Sequence, residues 1–464
     1  MPVTALSPPG RSIGSVSDTG PVGSGEPWLV RRAAPILSTL GVLAAEFFSS
    51  MWWGPHIEGS KGWATPGDLW RTVFTAQALV HLHFASLYTH QTALVTFPGA
   101  LVVLAPVAAL VGSLGLRLGP PVTVISYSAA WPFVATYSVF LSGTALVVAD
   151  VVAERLGASA RRRWLMAAAG GIAIWNVTDR WGHPEDCVAV ALLLCALLAL
   201  ADGRDRRSGW LLGAAISVQP LVVLALPVVA VTLGRRRLAP WALRLALPSV
   251  VLLLPPLVAN WSGTFRAIVR QPNYPKVDQP TPWIHFATRL TADTVSAGPG
   301  RVMALLVALA CCWPAAKAWR RAMGGPPSSA ADFLPTRWTT PALAVVLWWT
   351  ALALSLRCGF EAVMVPFYIW PGVALALVSA SRRWITAIGA AGLAVGLTAF
   401  SQLTWRSEWG WWSVVVAGLA LLLAIAHPGR VGPHDRSVDD DYGTWQRHTR
   451  PLAVAGLSVP VSAE

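Results

Sequence analysis

Charge is what this chain has least of. Only 12% of its 464 residues are charged, about half the share of a soluble domain. No stretch between residues 31 and 427 is polar enough to form a separate water-soluble unit. Lysine is confined to Lys61, Lys276 and Lys317. No Gly-x-x-x-x-Gly-Lys run occurs, which excludes the common nucleotide phosphate loop. Cysteines are few, and Cys187, Cys195, Cys311 and Cys312 lie inside apolar runs as small core residues rather than as a disulfide frame. The first thirty residues lack an early apolar core, so 1–30 reads as a disordered cytoplasmic tail rather than a signal peptide. The polar stretch 428–464 reads as a second tail.

What remains is apolar. Runs near the spanning length of about 20 residues recur at 34–53, 95–116, 122–149, 243–259, 302–319, 342–356, 362–379, 385–400 and 411–426. They predict an all-α, polytopic integral membrane protein with roughly 10–13 transmembrane helices, carried by a single domain over 31–427. The net charge of +13 sits in short arginine clusters between those runs, such as Arg31-Arg32, 161–163, 204–207 and 235–237. That placement marks cytoplasmic loops rather than a nucleic-acid surface, and puts the N terminus in the cytoplasm of a cell whose plasma membrane holds the protein.

Three of those clusters frame two short-legged hairpins. Between 163 and 204 the polar stretch 176–186 interrupts the apolar sequence, and between 207 and 235 Gln219-Pro220 does so. Legs of roughly 10–15 residues span about 15–23 Å, less than the ~30 Å hydrocarbon core. Both polar tips are therefore expected inside the external half of the membrane, where irregular backbone is tolerated only beside a cavity or buried in protein. Arg31-Arg32 and 161–163 on one side require an even number of crossings between them. The run 122–149 is accordingly expected to be a hairpin, or not to cross, with Pro132 as the break.

The first external loop holds the densest motif: Gly67-Asp68, then His81 and His83, Leu87-Tyr88 and Phe97-Pro98-Gly99. Together with Gly182-His183 and the helix Gly209-Trp210-Leu211-Leu212-Gly213 before Gln219-Pro220, it resembles the polyprenol-phosphate-dependent glycosyltransferases of the C-type fold. The likeness is to glycosyltransferase family 87 and its envelope mannosyltransferases, over residues 34–237. The resemblance implies a C-type glycosyltransferase fold and transfer of a sugar, mannose foremost, from a polyprenyl-phosphate donor. The acceptor would be a cell-envelope glycolipid or glycan on the external face. It implies Asp68 as catalytic base, with Tyr88, His183 and Gln219 at matching places. Read from the residues themselves, His81, His83, Glu185 and Asp186 are further substrate-binding candidates, although His81 and His83 lie on different faces of a helix and at most one can point to the site. The chemistry requires no cofactor. The family has lysine where this chain has Gln219, so a cation must come from elsewhere, and Arg357 is the candidate.

The same roles follow from chemistry. Inverting transfer to an alcohol needs a carboxylate to take the acceptor's proton, and cations or donors to meet the charge building on the departing phosphate. The loop 261–301 offers Arg266, Arg270 and Lys276 among aromatics and prolines, suited to phosphate pairing and sugar stacking. Structural alternatives exist for each group. Asp68 suits a helix N-cap, the tip charges suit an internal ion-pair cluster, and Arg357 and Glu361 are spaced to pair along a helix. Glu185, Asp186 and His183 are too small a set to predict a metal. A transporter or flippase of a lipid-linked or small polar substrate would use the same broken helices and buried charges.

Overall fold

The computed structural model describes residues 27–53, 64–89, 96–116, 125–127, 129–269, 271–324, 337–403 and 407–430. Most of both expected tails, together with Glu58 and Arg270, lies outside these residues. The described chain is almost wholly helical. After a single turn, α1 (Trp28–Arg31), come α2 (Ala33–Trp53), α3 (Gly67–Val80), α4 (Pro98–Ser113), α5 (Trp131–Arg155), α6 (Ala160–Trp175), α7 (Pro184–Ala201) and α8 (Asp205–Val218). The second part holds α9 (Leu226–Ala230), α10 (Arg235–Ala259), α11 (Trp261–Val269), α12 (Gly300–Ala310), α13 (Cys312–Ala322), α14 (Thr340–Phe360), α15 (Trp370–Ala380), α16 (Trp384–Ser401) and α17 (Glu408–Ile425). Two antiparallel pairs of very short strands supplement them: β1 (Ala64–Pro66) with β2 (Ile125–Tyr127), and β3 (Gln279–Pro280) with β4 (Val363–Met364).

Eight helical segments among the described residues are long and apolar enough to cross a membrane: α2, α5, α7, α10, α12 with α13, α14, α16 and α17. The protein is an all-α, multi-pass membrane protein. Eight is fewer than the 10–13 expected, for two physical reasons. The run 95–116 becomes α4, which packs with α3 into a helical hairpin. Because β1 pairs with β2, that hairpin leaves and returns at one place. The run 362–379 is broken at Pro366: a 3₁₀ turn (Pro366–Ile369) precedes α15, which is buried along almost its entire length. Its apolarity reflects the centre of a bundle rather than contact with lipid, a distinction that apolar content alone cannot make.

The expected break at Pro132 does not occur. Pro132 sits in the first turn of α5, where its missing N–H costs no intrahelical bond, and α5 runs unbroken for 25 residues. Its far end is fixed by charge. Arg32 binds Asp150 at 2.5 Å and also Glu154; Arg31 reaches Glu154 at 2.7 Å; Arg163 reaches Asp150 at 2.8 Å. The start of α2, the end of α5 and the start of α6 therefore share one end of the bundle, as the arginine clusters predict. With α3–α4 as an excursion from the other end, α2 and α5 make the even number of crossings.

The polar stretches 176–186 and 219–220 do interrupt the helices, but the first short-legged hairpin does not form as expected: α7, with 18 residues, is long enough to span on its own and packs on α5 and α8. The glycines of α8 serve packing. A Cβ on Gly213 would lie 2.3 Å from the Leu245 carbonyl oxygen, so α8 and α10 meet backbone to backbone. The other side of α10 presents Leu243, Val250, Val251, Leu254 and Val258 outward.

Candidate functional site

One large cavity, of about 1270 Å³, lies where the α6–α7 tip, the start of α3, the α8–α9 connection, the loop before α12 and the end of α14 converge. It is wide enough for a sugar and a phosphate together. Its charged side chains fall into two groups, one around Asp68 and one around Arg357.

Asp68 stands in the first turn of α3, and the N-cap position belongs to Pro66. The capping alternative is thereby displaced: the carboxylate is aimed sideways, toward Arg71 at 3.4 Å and His183 Nε2 at 3.4 Å. Its side chain remains 51% exposed to the cavity. The tip reaches it through a defined backbone path. α6 ends in a π-type turn, Asn176–Arg180, a feature often found at functional sites. Gly182 then adopts φ +74°, and a Cβ there would come within 2.9 Å of the Leu69 amide nitrogen. Glycine alone permits both the left-handed conformation and the close approach, which is how His183 arrives beside Asp68.

His183 is held from three sides. Its Nδ1 faces Glu185 Oε1 at 2.9 Å, its Nε2 faces Asp68, and its ring stacks on Phe367 at 4.0 Å. A carboxylate beside each ring nitrogen favours the imidazole that carries a proton on both. Burial opposes that charge, but Glu185 and Asp68 outweigh it and raise the His183 pKa well above the usual value. For Asp68, burial pushes upward, while His183 and Arg71 hold the carboxyl below its usual range. The start of a helix also favours a negative group. Asp68 is an ionised carboxylate with an open face.

Behind this layer, Gln219 donates its amide to buried Asp186. A second cavity of about 20 Å³, room for one water, lies among Asp186, Gln219, Arg357 and Tyr368. Gln219 thus ties the second hairpin tip to the first and serves as a neutral partner for a buried carboxylate. The first tip also carries Asp179, to which Ser49 of α2 donates at 3.3 Å. Glu46, one turn earlier on α2, is 1% exposed. Sequence reading passed over Glu46 because it lies alone in an otherwise uninterrupted apolar run.

Beyond Phe367, which stacks on His183 and packs edge-on against Tyr368, the cavity lining is cationic. Arg357 lies over the Tyr368 ring, 3.1 Å from its centre, and 3.5 Å from Glu361. Glu361 is 1% exposed and also accepts from Arg301 at 2.8 and 3.0 Å. The expected Arg357–Glu361 pair forms, and both groups face the cavity. Arg301 was not foreseen as a site residue, since it reads as the boundary between a polar loop and an apolar run. The two arginines leave an excess of one positive charge around one buried carboxylate.

Several candidates lie elsewhere. His81 and His83 are exposed at the C-terminal end of α3. Helix α3 points its first turn, and not its last, at the cavity. Tyr88 is buried and donates to the Thr96 carbonyl at 2.9 Å, pinning its own loop. Arg266 is exposed on α11 away from the cavity, and Lys276 pairs with Asp293 on the surface. Glu185 supports His183 from beneath without lining the main cavity. Among the described residues no group of three His, Cys, Asp or Glu side chains could hold a metal ion. Asn273 and Asp278, which sequence reading did not select, do line the cavity. No protein-family model matches the chain, and no curated protein is significantly similar to it.

Proposed function

We propose that the protein is a membrane glycosyltransferase of the C-type fold. It would move a sugar, mannose foremost, from a polyprenyl-phosphate donor to a cell-envelope glycolipid or glycan on the external face of the plasma membrane, with the N terminus in the cytoplasm. The observation that carries this reading is one cavity lined both by a half-exposed carboxylate, Asp68, and by two arginines, Arg301 and Arg357. In the reaction, the acceptor oxygen attacks the anomeric carbon as its proton passes to Asp68. The bond from that carbon to the phosphate oxygen breaks, and the phosphate leaves with its electron pair. Arg357 and Arg301 meet the added charge, and His183 contributes a third cation beside Asp68.

An apolar flank supports a lipid-linked donor. Leu221, Leu224, Val302 and Leu305 line the cavity, and Val302 is also 60% exposed on the outer face of α12. A polyprenyl chain could lie along that flank while its phosphate reaches the arginines. The broken helix at Pro366 favours a second reading, a transporter or flippase of a lipid-linked or small polar substrate.

The deciding experiment supplies purified protein with polyprenyl-phosphate mannose and an envelope glycolipid. Release of polyprenyl phosphate with a new glycosidic bond, without nucleotide sugar and in the presence of a chelator, is the expected outcome. Movement of the lipid-linked sugar across liposomes with no new bond would favour the transporter.

A further inference from the structure

One wall of the cavity is a loop that the reaction scheme leaves unused. Residues 271–278 border both charged groups of the cavity. At the start, Gln271 Oε1 accepts from Arg301 at 2.9 Å, placing that residue beside the cationic group. At the finish, Asp278 lies close enough to Asp68 and His183 to feel both charges.

The wall is rigid and chemically unsatisfied. Asn273 exchanges backbone hydrogen bonds with Val295 at 2.9 and 3.0 Å, and the Asp278 amide donates to the Tyr274 carbonyl at 2.9 Å. β3 follows immediately and pairs with β4, while Gln279 donates to the Leu403 carbonyl at 3.3 Å. On this frame the Asn273 side chain is 6% exposed, and its Nδ2 has no hydrogen-bond partner among the described residues. The Asp278 carboxylate makes no hydrogen bond or ion pair among the described residues. Tyr274, 43% exposed, offers a ring between them. All three line the cavity. An amide donor, a carboxylate acceptor and an aromatic ring on a stiff backbone match the faces of a sugar, which presents hydroxyls that donate and accept and a patch of C–H groups that stacks on rings.

We infer that residues 271–278 form the sugar-reading wall of the cavity, with Asp278 and Asn273 taking neighbouring hydroxyls of the transferred pyranose and Tyr274 packing against its C–H face. This rests on the glycosyltransferase reading only for the word transferred; a transported lipid-linked sugar would meet the same wall. A hydroxyl bound to an ionised carboxylate in a partly desolvated site typically contributes a factor of about 10–100 in affinity.

The test measures thermal stabilisation of the full-length purified protein by polyprenyl-phosphate mannose and by the same polyprenyl phosphate without sugar. Wild type should be stabilised further by the sugar-bearing lipid. Asp278→Asn and Asn273→Ala should lose that extra increment while keeping the response to the bare lipid phosphate, which also shows that they fold. A 2-deoxy donor should lose roughly tenfold or more in affinity on wild type, and little on Asp278→Asn. If the increment survives in both variants, or wild type shows none with mannose, glucose or galactose donors, the inference is wrong. An increment present and lost as described, with no glycosidic bond ever formed, sinks the transfer reading and leaves the sugar wall standing. Should Asn273→Ala not fold, Asp278→Asn alone decides, since its carboxylate makes no contact that the fold requires.

Discussion

Two buried charge clusters sit at opposite ends of the bundle, and they are built from similar parts. At one end Arg31, Arg32 and Arg163 enclose Asp150 and Glu154. At the other, Asp68, His183, Arg301, Arg357 and Glu361 line the cavity, with Glu185 behind His183. The first is filled by protein: Asp150 is 4% exposed, and Asp150 and Glu154 both meet arginines. The second is open: Asp68 is only partly engaged and faces space. A costly charge near lipid marks something that must be kept, but what it is kept for depends on whether its partners are all protein. The filled cluster clamps α2, α5 and α6 together; the open one has room for a substrate.

Removing one carboxylate from each cluster should break the comparison most sharply. Asp68→Asn keeps the size of the side chain and removes proton acceptance, so transfer should fall by roughly 10²–10⁴-fold, with the thermal unfolding temperature nearly unchanged. Asp150→Asn should do the reverse. It leaves Arg32 and Arg163 short of a buried partner, a loss of about 3–5 kcal/mol, read as a lowered unfolding temperature with near-normal turnover per folded molecule. An Asp68→Asn protein that unfolds early, or an Asp150→Asn protein that folds normally without activity, would reverse the assignment.

The comparison also shows what a sequence can and cannot display. The membrane class, the arginine-marked end and both polar interruptions were legible, because hydrophobicity and charge act locally and repeat. That Asp68 shares a cavity with the 176–186 stretch was legible from the arginine-marked topology, which puts the first loop and that stretch on the same side. The partners were not. His183 reaches Asp68 through the left-handed Gly182, and Arg301 reaches Glu361 across 60 residues; neither distance has a local signature. His81 and His83 misled because they share a helix with Asp68, and a helix of 14 residues places its two ends about 20 Å apart. Asp150 was missed for the same reason as Glu46: a single acid inside an apolar helix does not announce the arginine or carboxylate opposite.

In the cationic group, Arg357→Gln tests whether the arginines act on the leaving phosphate or only balance Glu361. If they act on the phosphate, kcat should fall by roughly 10²–10³-fold, as for loss of one donor to developing charge. Glu361→Gln would then retain activity better than Arg357→Gln, since it frees both arginines. Equal losses in the two variants would instead mark the trio as a structural clamp like the one around Asp150. Arg357→Lys should recover part of the activity, because a point charge can still meet a phosphate.

The smallest expected effect is a pH limb near neutrality. Asp68 is held below the usual carboxyl range and His183 well above the usual imidazole range. Those directions favour the ionised carboxylate and the protonated imidazole. Asp278 titrates nearer neutrality: burial and the neighbouring Asp68 raise it to about 7, against the pull of His183. Asp179 is also raised to about 7, by burial opposed by Ser49, Arg180 and Trp175. A raised acid is neutral below its pKa, so any role that needs the ionised carboxylate is present above pH 7 and lost as the pH falls through it. At pH 6 about a tenth of such a group stays ionised, so kcat/KM for the sugar donor should drop by roughly tenfold from its plateau. Asp278→Asn should lower the plateau and flatten this limb, whereas Asp179→Asn should leave the limb in place. The opposite pattern would shift the sensitive group from the sugar wall to the α6–α7 tip, and would make the tip, with Ser49 and Glu46 behind it, the part of the open cluster that responds to protons.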